Sequence, residues 1–171
     1  LVMTILIAGG FQGWRTIFNN FAVEIVNISG QQMGMLQSIR EIPGLLALLV
    51  VYLLLLVKEH KLAALSIFVF GIGVCITGFL DSFGGVIVSI LVMSFGFHYY
   101  ETVNQSLTLQ YFCKNKAPLV LAKLKSIGAI TNIIIGGIVF VIASFLEYKE
   151  IFILLGIAVI AGAVWCYLQN P

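Results

Sequence analysis

The 171 residues are 61% hydrophobic and 9% charged, with a mean hydropathy of +1.11, far from the balance of an ordinary soluble domain. This excludes a water-soluble enzyme or binding module and implies an all-α, multi-pass chain whose first partner is the lipid bilayer. The net charge is +2 and the nine basic residues are spread along the chain, so nucleic acid is excluded as a partner.

Hydropathy and turn residues divide the chain into six expected spans, each near the ~20 residues that cross a bilayer core. The first covers about 1–22 and begins inside apolar sequence with neither an initiator Met nor a charged leader, so it is expected to be truncated. Its Gln12, Arg15 and Asn19 recur at helical spacing and share one face. An amphipathic patch from Glu24 to Gln32 carries the turn formers Asn27, Ser29 and Gly30.

The second span covers about 33–57, with Gln37 and Arg40 on one face and Glu41 offset by ~100°. Pro43 predicts a kink or local opening just beyond them. Lys58-Glu59-His60-Lys61 reads as a charged loop, and the third span, about 62–80, offers only Ser66, Cys75 and Thr77 as polar residues. Asp81-Ser82 with Gly84-Gly85 turns the chain into the fourth span, about 83–112.

That fourth span holds the richest stretch, SFGFHYYETVNQSLT from Ser94 to Thr108. At ~100° per residue, Ser94, His98, Glu101, Asn104, Gln105 and Thr108 fall within ~60° of the direction of Glu101. Ionisable groups at membrane depth are costly, so the stripe is expected to face a water-filled cavity or a polar partner.

Cys113 to Ala117 precede Pro118, which suits a first helical turn. The fifth span, about 118–145, aligns Lys125, Gly128 and Asn132, and Lys123 and Lys125 are expected to snorkel to headgroups. Glu147 to Glu150 reads as a turn, the sixth span covers about 151–168, and Gln169-Asn170-Pro171 stops it. Cys75, Cys113 and Cys166 are single and far apart, which suits packing residues rather than a disulfide or zinc set.

Lys58, Lys61, Lys114, Lys116, Lys123 and Lys125 fall on one side of six alternating spans, and Glu24, Asp81, Glu147 and Glu150 on the other with only Lys149. The positive-inside rule then puts the lysines and both chain ends in the cytoplasm, as expected for a protein of the cell (inner) membrane. Spans 1, 2, 4 and 5 carry polar faces while 3 and 6 do not, the order that a 3+3 inverted repeat produces when the first two helices of each unit line a cavity. Gly9 with Gly13, Gly30 with Gly34 and Ala158 with Gly162 permit close helix packing.

With six spans, cytoplasmic ends, a short charged loop after span 2 and a longer basic segment after span 4, the chain resembles the N-terminal half of a major facilitator superfamily transporter. Gly96 within SFGFHYYE, and LKSIGAITNIIIGGIVF from Leu124 to Phe140, match the texture of that family's helices 4 and 5. VYLLLLVKEHKLAAL from Val51 to Leu65 keeps Lys58 and Lys61 but lacks the glycines and aspartate of the family's loop signature. The resemblance implies a single six-helix bundle that lacks its C-terminal six-helix half, with a small-molecule solute bound between the two halves and exposed alternately to each side. Helices 1 and 4, aided by 2 and 5, would face the solute, with 3 and 6 peripheral.

His98 and Glu101 are open to two readings, an internal hydrogen-bonded pair and a proton- or solute-handling pair, since His titrates near neutrality and burial raises a carboxylate. Arg15 and Arg40 fit bidentate bonding to a carboxylate, whether of a solute or of Glu41 or Glu101. The expected wall of the solute cavity therefore comprises Gln12, Arg15, Asn19, Arg40, Glu41, His98, Glu101, Asn104, Gln105 and Asn132. A metalloenzyme built on His98 and Glu101 lacks a third inward ligand, and no Gly-x-Ser-x-Gly elbow or phosphate-cradling loop occurs. Neither enzyme activity nor a metal or cofactor is expected. A substrate-binding subunit of a multi-component importer also fits the span number.

Overall fold

The computed structural model describes residues 1–169; Asn170 and Pro171, part of the expected stop, lie outside the described residues. Among the described residues every regular element is helical. Helix α1 is Val2–Glu24. The second span is built in pieces: α2 (Gly30–Arg40), α3 (Ile42–Leu45), a 3-10 turn (Leu46–Leu49) and α4 (Val50–Leu54). Helices α5 (Glu59–Thr77), α6 (Phe83–Tyr111), α7 (Ala117–Ile142) and α8 (Tyr148–Leu168) complete the chain.

Five segments, Gly30–Leu54 and α5 to α8, are long and apolar enough to cross a membrane. Helix α1, with 23 residues, is long enough at ~34 Å but falls outside this set by composition. Its Gln12, Arg15, Asn19 and Asn20 make it less apolar than the other five.

Several ends differ from expectation because capping chemistry outranks hydropathy at helix termini. Ser29 and Gln32 form a reciprocal capping box, so α2 starts at Gly30 rather than near Met33. Glu147 and Glu150 form another, which makes Tyr148 to Glu150 the first turn of α8 rather than a loop. Glu59, His60 and Lys61 also open α5, which starts without a side-chain cap but with the acidic Glu59 in its first turn. The bend after α1 is held by Asn27 at φ 59°, a left-handed conformation that Asn tolerates well.

The bundle is organised around α5, which packs against both α6 and α8, while α1 packs against α7, α8 and α5. The apolar third span is therefore not peripheral within this chain: Ala63, Ile67, Phe70 and Val74 are fully buried. Its apolar character serves packing against α6 and α8, while Leu65 stays exposed. The α5–α6 crossing is closed by Gly73 against the Met93 backbone and by Gly96 against the backbone of Ser66 and Phe70. Gly9 and Gly13 face α7 and α8, and Gly162 faces Leu6, whereas Gly30 and Gly34 have open space beside them. Conversely, α7 exposes Ile130, Ile133, Ile134, Phe140 and Val141, and the second span exposes Leu45, Leu48 and Val51, the surface that hydrocarbon requires.

Pro43 has no N–H to bond Ile39, and its ring crowds that carbonyl, so the second span breaks at Glu41. Beyond the break Gly44 N–H bonds Glu41 rather than Arg40, which frees the Arg40 carbonyl. Helix α6 supplies the missing donor, Ser94 Oγ. One turn on, Tyr99 Oη donates to the Leu46 carbonyl at 3.4 Å. The broken helix is thus stitched to α6 by side chains that replace its own ladder.

Candidate functional site

Helices α1, α6 and α7 enclose a cavity of about 360 Å³, within the ~300–1,000 Å³ range of small-molecule sites. It exists because α7 leans on α1 and touches α6 only lightly, leaving a wedge between α6 and α7. Small residues permit that lean: a Cβ at Gly9 would stand 3.3 Å from Ile135, and one at Gly128 3.8 Å from Ala8.

The wall combines Thr4, Ala8 and Phe11 of α1 with Phe97, Tyr100, Glu101, Asn104 and Gln105 of α6 and Leu121, Leu124, Lys125 and Asn132 of α7. Lys125 Nζ stands 3.5 Å from Glu101 Oε1, with the lysine side chain 78% and the glutamate 39% exposed. The Thr4 and Tyr100 hydroxyls meet at 3.2 Å, tying α1 to α6. Asn132, with its amide turned so that nitrogen donates, bonds the carbonyls of Ala8 at 3.1 Å and Gly128 at 3.2 Å, tying α7 to α1.

A second pocket of about 60 Å³ lies against the helix break, lined by Phe11, Arg40, Glu41, Met93, Ser94, Phe97 and His98. Arg40 donates to Glu41 Oε1 through Nε at 3.2 Å and Nη2 at 2.9 Å. Its guanidinium also stands 5.8 Å from the centre of the Phe11 ring. His98 Nε2 approaches Glu41 Oε2 at 3.7 Å. Phe11 and Phe97, stacked at 4.8 Å, line both spaces and form the partition between them.

The sequence-derived candidates therefore fall into three groups. Glu101, Asn104, Gln105 and Asn132 line the larger cavity. Arg40, Glu41 and His98 gather in the smaller pocket. Gln12, Arg15 and Asn19 continue the Thr4–Ala8 face of α1 beyond the cavity, with Arg15 and Asn19 exposed; Gln12 Nε2 donates to Thr16 Oγ1 at 3.4 Å. His98 and Glu101 do not bond each other: one turns to Glu41 and the other to Lys125.

Sequence reasoning missed Lys125, whose place near the start of α7 suggested the lipid headgroups. Its alignment with Gly128 and Asn132 was the available signal for an inward face. Thr4 and Phe11 carried no such signal, being ordinary membrane-helix residues, while Tyr100, with Trp14 and Tyr99, was open to both a pocket and a packing reading. Among the described residues no three His, Cys, Asp or Glu side chains gather as a metal-ligand set. No protein-family model matches the sequence, and no curated protein matches it.

Proposed function

We propose that this chain is one six-helix half of a secondary active transporter that carries a small solute by alternating access, coupled to an ion or proton. The observation that carries the reading is the cavity between α1, α6 and α7, in which a carboxylate, an ammonium, three amides and the paired hydroxyls of Thr4 and Tyr100 line a space walled otherwise by apolar side chains. No residue of α5 or α8 lines it, which supports a division between cavity helices and packing helices.

The packing pattern supports a 3+3 repeat. If spans 1, 2 and 3 are exchanged with 4, 5 and 6, the α5–α6 contact maps onto α8–α1, α1–α7 onto α6 with the broken second span, and α5–α8 onto itself, and these pairs pack, whereas the α1–α5 and α6–α7 contacts have no counterpart of similar extent. On this reading the chain is an N-terminal bundle of the major facilitator superfamily, with both ends cytoplasmic in the cell membrane and a second six-helix half closing the open side. Glu41 and His98, near mid-length of their spans, supply a site for a coupling proton.

Solute uptake in proteoliposomes by the complete transporter, with both six-helix halves present, tests the reading. Glu101→Gln and Lys125→Met are expected to reduce uptake by about tenfold or more. Uptake at the unmodified rate in both variants would remove this cavity from the transport path, and absence of uptake across a broad solute panel would remove the transport reading itself.

A further inference from the structure

The charges of the larger cavity point to the class of its ligand, an inference that rests on the transport reading above. Glu101 and Lys125 stand on different helices at opposite sides of the wedge, and their 3.5 Å approach is longer than the ~2.7–2.9 Å of a charge-assisted hydrogen bond. Among the described residues neither head group has another hydrogen-bond partner. Each keeps unused bonding capacity beside the open space.

A singly charged ligand uses this pair poorly. An anion placed on Lys125 meets the Glu101 carboxylate beside it, and a cation placed on Glu101 meets the Lys125 ammonium. A neutral ligand leaves the pair as it stands. A ligand with both charges a few ångströms apart replaces one loose ion pair by two close ones. The rest of the wall adds a requirement: Phe11 and Phe97 present stacked aromatic surface at the inner end, where no charged group lines the cavity.

We propose that the cavity binds a compact zwitterion with an apolar portion, such as an α-amino acid with an aliphatic or aromatic side chain. Its ammonium meets Glu101, its carboxylate meets Lys125, and its apolar group packs against Phe11 and Phe97. Asn104 and Gln105 offer amides to the remaining carboxylate or ammonium positions.

The test uses the full chain in lipid nanodiscs, with binding followed by the ligand-dependent rise in melting temperature. The probes are L-leucine, L-valine, L-methionine and L-phenylalanine, with 3-methylbutylamine and 4-methylpentanoate as the single-charge analogues of leucine. At least one amino acid is expected to stabilise the protein, and the two analogues to bind about tenfold or more weakly than leucine. Glu101→Gln and Lys125→Met are each expected to lose that stabilisation, and the charge-swapped double variant Glu101→Lys/Lys125→Glu to regain part of it, which separates ligand recognition from folding. Stabilisation by none of the four amino acids overturns the proposal. Equal binding of an analogue also overturns it, and leaves the transport reading intact if that binding is lost in Glu101→Gln. The uptake panel described above reads the transport function independently of any of these probes.

Discussion

The imidazole of His98 lies face-on against Gly44, close enough that a Cβ there would stand 3.1 Å from Cε1, 3.2 Å from Nδ1 and 3.3 Å from Nε2. The contact brings α6 onto the broken part of the second span and keeps His98 within reach of Glu41. Gly44→Val is expected to displace the ring and cost ~1–3 kcal/mol, read as a lower melting temperature of the purified protein. In a His98→Ala background the same substitution is expected to cost less, giving a coupling above ~0.5 kcal/mol. Additive effects would show that the ring does not occupy this position.

Ser94 carries the only side-chain hydrogen bond to the freed Arg40 carbonyl among the described residues. Ser94→Ala is expected to cost ~1 kcal/mol by leaving a part-buried acceptor without its donor. Pro43→Ala permits the helix to close and lets Gly44 N–H reach Arg40, so the penalty of Ser94→Ala is expected to shrink in that background. Denaturation of the four proteins of this cycle measures it.

At the α5–α6 crossing a methyl group would meet backbone, which cannot swing aside. Gly96→Ala and Gly73→Ala are each expected to destabilise toward the upper end of ~1–3 kcal/mol. Gly137 has nothing within 4 Å of an added Cβ, so Gly137→Ala is expected to be stabilising by roughly 0.4–1 kcal/mol. Similar melting temperatures for all three variants would contradict the crossing.

The two tryptophans report the bilayer-facing surface. Trp14 is 1% exposed and donates to Thr77 Oγ1 at 3.3 Å, whereas Trp165 is 54% exposed on α8. Brominated acyl chains are expected to quench Trp165 strongly and Trp14 weakly, as measured in Trp14→Phe and Trp165→Phe variants. Equal quenching would place α8 away from lipid.

Much of the fold was legible because hydropathy and turn chemistry act locally. The apolar runs and their separators mark the helices, and Pro43 marks the break. The errors at Ser29 and Glu147 arose where a turn former was also a helix cap, and Ser-x-x-Gln and Glu-x-x-Glu were the signals that could have corrected them. The candidate site was legible only as a stripe. Residues three apart on a helix differ by ~60° in direction, so His98 and Glu101 share a face and still address different neighbours.

From its sequence alone the chain is determined as a set of apolar helices with polar faces on spans 1, 2, 4 and 5, since composition and periodicity are properties of each segment by itself. Which polar residues meet was decided by packing. Close contact of α7 with α1, permitted by Gly9 and Gly128, brings Lys125 to Glu101. The break at Pro43 exposes a carbonyl to Ser94 and lays Gly44 under His98. The stacked rings of Phe11 and Phe97 then divide one expected site into two, because partners far apart in sequence meet only when several helices settle their mutual distances at once.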